Sequence, residues 1–331
     1  MTTAALRHRL LTFLYGDAAE GVRREVDALL RQHGSHESGQ GGWSERDAWL
    51  ITYPDQFQLP GGTPLQALGA FFDQHLVPWL NGVHILPLFP WSSDDGFSVV
   101  DYLAVDPANG TWDDVESLGR RHRLGLDAVL NHMSAGSEWF TGFLAGEPEY
   151  ADFFHTRREG ADYSSVVRPR TSPLFTTFEA AAGPVDVWTT FSADQVDLNF
   201  SNPRVLLASL DVLLTYARRG ASFIRLDAIG LLWKEVGTTC MHLPETHAVI
   251  QLWRACLDDT YPNVLLLTET NVPHAENISY FGDGSTIEAQ MVYQFPLAPL
   301  VLDAYRTGDA ATLTGWADSL ELDVPGTTLL K

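Results

Sequence analysis

The sequence predicts an α/β protein in which amphipathic helices cover a parallel β-sheet. Two observations lead to this fold class. Short apolar runs of strand length alternate with helical periodicities along most of the 331 residues, which is typical of repeated strand–helix units. The composition, 45% hydrophobic and 19% charged, is that of a globular protein with a sizeable core, so disorder and a coiled coil are excluded.

Two helices are predicted ahead of the sheet. Apolar residues recur at helical spacing in residues 6–15 and in residues 22–32. The segment 33–42, HGSHESGQGG, is rich in glycine and serine, which indicates a flexible linker. Residues 1–42 are therefore interpreted as an N-terminal helical extension and linker.

Six strands are predicted after the linker. The helix behind the first strand begins with Thr63 as its N-cap and Pro64 in its first turn. A first part of the sheet, residues 43–132, holds three strands and a second part, residues 200–331, holds three more. The strands cover residues 48–53, 83–89, 124–132, 221–228, 263–269 and, more weakly, 289–295; the helices cover 64–79, 112–123, 203–219 and 246–259.

The alternation of strands and helices breaks between residues 133 and 199. This stretch contains the proline segments RPRTSP and AAGPVD, many aromatic residues and no long periodic helix. An insertion of this length between a strand and its helix is too long for an ordinary loop. We therefore predict a small subdomain inserted after the third strand.

Charge and cysteine usage exclude several function classes. The formal net charge of −21 repels nucleic acid and anionic membrane surfaces, so neither is an expected partner, and an anionic ligand needs a local basic cluster. Cys240 and Cys256 lack zinc or disulfide spacing and are predicted to be reduced thiols. The first residues lack a signal-peptide pattern, and no apolar run has bilayer length, so we expect a cytoplasmic protein.

Ionisable side chains at the ends of neighbouring strands mark a candidate active site. In FIRLDA, Arg225 and Asp227 lie two residues apart and share one strand face, where Arg225 could hold Asp227 ionised. Glu269 ends the next strand, and the carboxyl ends of parallel strands meet at one edge. Two such carboxyl groups are what glycoside cleavage needs. Arg225 and Asp227 by themselves also fit a buried ion pair that tethers the strand. Glu269 by itself fits a capping residue or a surface carboxylate better.

Further residues fit either a role in a binding site or a purely structural role. His132, at the end of an apolar strand, is either a core histidine or a ligand-binding group. Arg168 and Arg170, in an R-P-R turn, either present guanidinium groups to an oxyanion or are solvated. Five aromatic residues are either stacking platforms for a sugar ring or core residues: Trp91, Phe97, Trp139, Phe175 and Phe178. The chain has no P-loop, dinucleotide fingerprint, HExxH or GxSxG motif.

Several segments carry a family resemblance. In order, GVHILPLFPWSSDDGFSVVDY, LDAVLNHMS, QVDLNF, FIRLDAIG and LLTETN resemble the strand-end motifs of glycoside hydrolase family 13, the α-amylase superfamily. RPR, KEVGTTC and YQFPLAPLVL are similar to the sucrose phosphorylase group. SEWF, VWTTFS, TETNVPHAENISYFG and MVYQF, with the N-terminal helices, look most like the glucosylglycerate phosphorylases. The resemblance implies a (β/α)8 TIM-type barrel.

The resemblance also implies roles for individual residues. It makes Asp227 the nucleophile, Glu269 the general acid/base and Arg225 the arginine that orients the nucleophile. Asn271 stands where sucrose phosphorylases have a histidine, which argues against sucrose as the donor. The remaining substrate-binding residues are the hydroxyl-binding Asp94 and His132, the aromatic platform Phe97, and the phosphate-contacting Arg170, with Arg168 beside it in the same turn.

The implied activity is that of a retaining glucoside phosphorylase. Phosphorolysis of 2-O-α-D-glucosylglycerate would give α-D-glucose 1-phosphate and glycerate by double displacement. Inorganic phosphate is the co-substrate, and no metal or other cofactor is expected. Sucrose, sucrose 6′-phosphate or glucosylglycerol phosphorylase remain alternatives, as does a non-catalytic barrel that acts as a binding or scaffold protein. The oligomeric state stays open.

The end of the chain departs from the family pattern. The third catalytic carboxylate of the family, its seventh and eighth strands and its C-terminal β-domain would follow the sixth strand, but the sequence stops at TTLLK. We therefore expect a truncated chain that ends before strands seven and eight. An open barrel of about six strands would have unprotected edges, and such a fragment is expected to be inactive or poorly folded by itself.

Overall fold

The computed structural model describes residues 2–34, 43–320 and 328–330. The strands are β1 (Trp49–Thr52), β2 (Gly82–Ile85), β3 (Arg123–Ala128), β4 (His132–Ser134), β5 (Phe175–Ala180), β6 (Gly183–Trp188), β7 (Gln195–Asp197), β8 (Phe223–Leu226), β9 (Leu265–Thr268), β10 (Met291–Tyr293) and β11 (Thr328–Leu330). The α-helices are α1 (Thr3–Tyr15), α2 (Ala19–His33), α3 (Pro64–Phe71), α4 (Trp112–Arg121), α5 (Glu138–Ala145), α6 (Pro203–Arg218), α7 (Pro244–Thr260), α8 (His274–Ile278), α9 (Leu297–Thr307) and α10 (Ala311–Asp318).

A sheet of parallel strands forms the centre of the molecule. Its order is β1-β2-β3-β8-β9-β10-β11, and every neighbouring pair is parallel. β1 and β11 are the two edges, so the described residues form an open, incomplete barrel and not a closed cylinder. The predicted α/β class and the incomplete barrel are both confirmed.

One strand prediction needs correction, and the structure adds to another. Each of the six predicted strands has a counterpart in the sheet, and β11 pairs with β10 as a further strand; its three residues are too short to show a periodic pattern. The third strand is predicted to extend to residue 132, but β3 ends at Ala128. Val129 and Leu130 are fully buried outside the sheet, so their apolar character does not mark strand residues.

Local sequence signals account for the elements around the sheet. The Thr63 hydroxyl accepts a hydrogen bond from the Gln66 backbone N–H, and the Gln66 side chain accepts one from the Thr63 N–H, at 3.3 Å each; this capping box starts α3. All six residues of β3 are buried, as expected for a central parallel strand. A side chain at Gly125 would collide with the ring of Phe223 on β8, so glycine permits this close packing.

The N-terminal helices are docked on the outside of the sheet helices. α1 packs against α7, and α2 packs against α6 and α7. The guanidinium group of Arg7 pairs with Asp259, and Leu11 and Val26 are fully buried. The sequence predicts a linker from residue 33, but His33 is the last residue of α2; residues 35–42 of that linker lie outside the described residues.

The inserted stretch forms small antiparallel units at one end of the sheet. β4 pairs with β7, and β5 pairs with β6 as a hairpin. α5, an eight-residue helix, packs against β5.

Cys240 and Cys256 are both buried and unpaired. Within the described ranges, no helix combines the length and the apolar character needed to cross a membrane.

Candidate active site

A cleft of about 300 Å³ opens at the carboxyl ends of the strands. It collects side chains that are far apart in sequence, from the ends of β1, β8 and β9 and from the inserted stretch. Its lining consists of Tyr53, Asp94, Asp95, Phe97, His132, Arg170, Phe191, Gln195, Arg225, Asp227, Ala228 and Glu269. Seven of the predicted site residues are therefore brought together: Asp94, Phe97, His132, Arg170, Arg225, Asp227 and Glu269.

Arg225 lies at the centre of the charged part of the cleft. Its Nη1 donates to Asp227 Oδ1 over 2.9 Å and also contacts Asp127 on β3, and its Nη2 lies 4.0 Å from Glu269 Oε2. The guanidinium group also stands over the ring of Phe97, 5.5 Å from its centroid. One largely buried cation thus bonds two carboxylates and lies close to a third.

Strand register places the two predicted catalytic carboxyl groups side by side. Leu226 and Thr268 are partners in the β8–β9 pair, so Asp227 and Glu269 each follow a paired residue on adjacent strands. The Glu269 N–H donates to the Leu226 carbonyl over 3.0 Å. The Ala228 N–H donates to Glu269 Oε2 over 2.9 Å. Both carboxyl groups therefore face one cleft from neighbouring strand ends.

The electrostatics of the two carboxyl groups differ through burial. Asp227 is 8% exposed; burial, assisted by the negative charges of Glu269 and Asp127, raises its pKa to about 7, although Arg225 opposes this rise. The Glu269 side chain is more accessible, at 22% against 11% for the Asp227 side chain. A carboxylate that is poorly solvated yet paired with a cation is a reactive nucleophile.

Asp127 anchors Arg225 from behind. Burial disfavours its charged form, but Arg225 and His84 outweigh burial and lower the Asp127 pKa. His84 Nε2 lies 2.8 Å from Asp127 Oδ2. The sequence shows the same signal here as at Arg225, an ionisable residue inside an apolar strand, so Asp127 could have been found by that criterion.

A second network arranges the polar wall opposite Arg225. Gln195 on β7 donates from Nε2 to Asp94 Oδ2 over 2.9 Å. His132 Nε2 lies 2.9 Å from the Phe97 carbonyl oxygen, and burial lowers the His132 pKa. Asp94 has a left-handed backbone with φ of 56°, a conformation that aspartate tolerates better than most residues. The loop thus turns the Asp94 carboxylate into the cleft.

Two predicted substrate-binding residues do not line this cleft. Arg168 and Asn271 are both exposed and absent from its walls. Within the R-P-R turn, only Arg170 reaches the cleft. Sequence reasoning missed Tyr53, Phe191 and Gln195, which lack a charge and lie in irregular or short segments, so their sequence context does not distinguish them.

Lys234 forms a buried ion pair beside the site. Its Nζ lies 2.9 Å from Asp197 Oδ2 and 2.9 Å from Asn131 Oδ1, and the Asp197 carboxylate also accepts from the Thr190 N–H and hydroxyl. Within the described residues, no group of three or more His, Cys, Asp or Glu side chains is arranged to hold a metal ion.

Asp227→Asn is expected to stabilise the fold, and more so at pH 8 than at pH 5. The folded-state pKa of Asp227, about 7, lies above its ordinary value of 3.8, so folding opposes ionisation and stability is lost as pH rises between these values. Asparagine removes this cost. Thermal denaturation of both proteins at the two pH values tests this; an unchanged Tm difference between pH 5 and pH 8 would contradict it.

Comparison with known proteins identifies the family. Residues 79–318 match the family model described as the α-amylase catalytic domain. The chain belongs to the α-amylase family. The fold likeness agrees with this: sucrose 6F-phosphate phosphorylase from Thermoanaerobacter thermosaccharolyticum has a TM-score of 0.73 at 28% identity, over 84% of this chain and 58% of that one. The charged cleft of this chain lies at the carboxyl ends of the strands, where the active sites of barrel enzymes assemble.

Relatives within the α-amylase family give a narrower likeness. The chain is 51% identical to glucosylglycerate phosphorylase of Allomeiothermus silvanus over 99% of its length, and 48% identical to that of Escherichia coli over 98%. It is 34% identical to sucrose phosphorylase of Agrobacterium vitis over 81% of its length. The chain spans 60%, 56% and 56% of these three proteins.

Proposed function

We propose that the protein is a retaining glucoside phosphorylase that transfers glucose from 2-O-α-D-glucosylglycerate to inorganic phosphate. The observation that carries this proposal is the pair Asp227 and Glu269, which follow register partners on adjacent strands and share the Arg225 guanidinium group. Two carboxyl groups so placed are the requirement for displacement at an anomeric carbon. Membership of the α-amylase family supports the same chemistry.

In the first step, Asp227 forms a bond to the anomeric carbon. An oxygen of its carboxylate attacks as the bond from that carbon to the glycerate oxygen breaks, and Glu269 delivers its proton to the leaving oxygen. Arg225 holds Asp227 Oδ1 at 2.9 Å, which aligns the attacking group and stabilises its charge before reaction. The product is a glucosyl-enzyme of inverted anomeric configuration.

In the second step, a phosphate oxygen attacks the same carbon and the bond to Asp227 breaks. Glu269, now a carboxylate, accepts a proton from the attacking group. The second inversion gives α-D-glucose 1-phosphate, with overall retention. Arg170, on the cleft wall, is the proposed phosphate contact, because an arginine fork can bind two oxygens of an oxyanion.

Glycerate is favoured as the leaving group by similarity and by charge. The chain is 48–53% identical to three glucosylglycerate phosphorylases but 34% and 30% identical to a sucrose and a glucosylglycerol phosphorylase. Glycerate and phosphate are both anions, and in a chain of charge −21 they need a local cation such as Arg170.

Since both cysteines are unpaired, we further propose a cytoplasmic location.

A donor panel tests the proposal. The protein, expressed from its complete reading frame, is incubated with glucosylglycerate, sucrose, sucrose 6′-phosphate or glucosylglycerol, with and without phosphate. We expect phosphate-dependent glucose 1-phosphate from glucosylglycerate, at a kcat/KM at least about tenfold above the other donors. Free glucose at a rate independent of phosphate would replace this proposal with hydrolysis, and a preference for another donor would replace glycerate.

A further inference from the structure

Behind the proposed nucleophile lies a chain of three buried polar side chains on three adjacent strands. His84 on β2 and Asp127 on β3 are each 1% exposed. His84 Nε2 lies 2.8 Å from Asp127 Oδ2, and Asp127 Oδ1 contacts Nη1 of Arg225 on β8. These three side chains therefore connect the sheet to the cleft. Arg225 lines the cleft, and His84 does not.

Arg225 is shared between two carboxylates through one nitrogen. Its Nη1 donates both to Asp127 Oδ1 and to Asp227 Oδ1. A buried carboxylate is costly unless its oxygens accept hydrogen bonds, so Asp127 competes with Asp227 for this guanidinium group. His84 supplies the hydrogen bond to the second Asp127 oxygen. Asp127 therefore needs fewer hydrogen bonds from Arg225.

The histidine acts as a donor in either protonation state. A carboxylate oxygen can only accept, so His84 Nε2 carries the hydrogen, whether the ring is neutral or charged. The ring packs edge-on against Phe223, with centroids 5.2 Å apart, and this contact holds its orientation. The orientation of the His84 ring is therefore set by Phe223, and its role as a donor by Asp127. A substitution can remove the donor while it keeps a side chain of similar size.

We propose that His84 is a positioning residue for glucosyl transfer: by binding Asp127 Oδ2, it keeps Arg225 divided between Asp127 and the nucleophile Asp227. The proposal rests on the proposed function of this cleft. It assigns to His84 an effect on the chemical step and not on substrate binding.

Other titratable groups surround the nucleophile. Those that face Asp227 or Arg225 are Asp127 on β3, Glu269 after β9, Tyr293 on β10, Tyr102 in the segment before α4 and Tyr53 after β1. None of these is bonded to His84 except Asp127. A change at His84 is thus transmitted through Asp127 and Arg225.

Two variants of similar size separate hydrogen bonding from packing. His84→Gln retains an amide N–H near the Nε2 position, whereas His84→Met removes the donor. In His84→Met, Arg225 becomes the main donor to Asp127 and is withdrawn from Asp227. We expect kcat to fall about ten- to a hundredfold with KM for glucosylglycerate nearly unchanged. The acid limb of the pH profile should move upward by about one unit, and His84→Gln should restore both.

A measurement without turnover keeps the test independent of the proposed activity. Carbon-13 NMR of labelled aspartate carboxyl groups, with the Asp227 signal assigned from Asp227→Asn, follows its titration directly. The Asp227 titration should shift upward in His84→Met and return in His84→Gln, whether or not glucosylglycerate is the donor. An unmoved titration with only a lowered Tm would show a structural role and overturn the proposal, as would equal kinetics in the two variants.

Discussion

Asp227→Asn is expected to lower kcat for phosphorolysis by about 10⁴-fold or more, because an amide cannot take the place of the carboxylate in the covalent intermediate. The amide cannot attack the anomeric carbon, although it keeps the size of the carboxylate and can still face Arg225. Steady-state release of glucose 1-phosphate measures the loss. The expected gain in Tm at pH 8 shows that the variant is folded, so lost activity cannot be ascribed to unfolding.

Glu269→Gln is expected to show a loss that depends on the leaving group. A glycerate oxygen needs a proton to depart, so turnover of glucosylglycerate should fall about 10²- to 10⁴-fold. Fluoride leaves without acid catalysis, so α-D-glucosyl fluoride should lose far less. Rates on both donors, compared with the wild type, measure the difference.

The exposed carboxylate Asp303 on α9 provides a control, since its side chain is 49% exposed and, among the described residues, its ion pair is with Arg306. Asp303→Asn is expected to leave kcat within about twofold, as surface changes generally do. Undiminished phosphorolysis in Asp227→Asn would reject the catalytic assignment. An inactive wild type whose cleft still binds glucosides would favour the alternative of a non-catalytic binding barrel.

Lys234→Met is expected to reduce the free energy of unfolding by about 3–5 kcal/mol, because it leaves a buried carboxylate without its cation. Asp197 is fully buried and lies 2.9 Å from Lys234 Nζ. Asn131 Oδ1 accepts a hydrogen bond from Lys234 Nζ, and the substitution would remove this bond as well. Denaturant unfolding followed by circular dichroism measures the change.

The double variant Lys234→Met with Asp197→Leu tests the cause. If the cost comes from the unpaired charge, removing that charge should recover part of the stability, since replacing both members of a buried pair is often close to neutral. Arg306→Met, which breaks the exposed pair with Asp303, should change stability by less than about 0.5 kcal/mol. A loss below about 1 kcal/mol in Lys234→Met would contradict the expected role of the pair.

The alternation of apolar runs and amphipathic helices was sufficient to predict the parallel sheet. Each predicted strand of the main sheet has a counterpart, because strands that are buried on both faces, such as β3, are largely apolar. Strand ends were less predictable. Leu130 is buried although it follows the last residue of β3, so its apolar side chain extends the pattern beyond Ala128.

The predicted site residues that line the cleft include those where a charge interrupts an apolar strand. Arg225 and Asp227 stand out in FIRLDA because an ionisable residue in such a run needs a partner. Gln195 has no such signal, since a neutral side chain on a three-residue strand is common. Arg168 and Arg170 look alike in sequence, but only Arg170 lines the cleft, and the path of an irregular turn is set by its packing.

The sequence alone determined that this protein has a parallel sheet with paired carboxyl groups at its carboxyl edge, because strand periodicity and the burial cost of charge act locally along the chain. Only the tertiary structure decided that Arg225 is shared by Asp127 and Asp227, and that His84 lies behind them. These contacts cross β2, β3 and β8, and the order of strands in a sheet depends on long-range packing that no local pattern encodes.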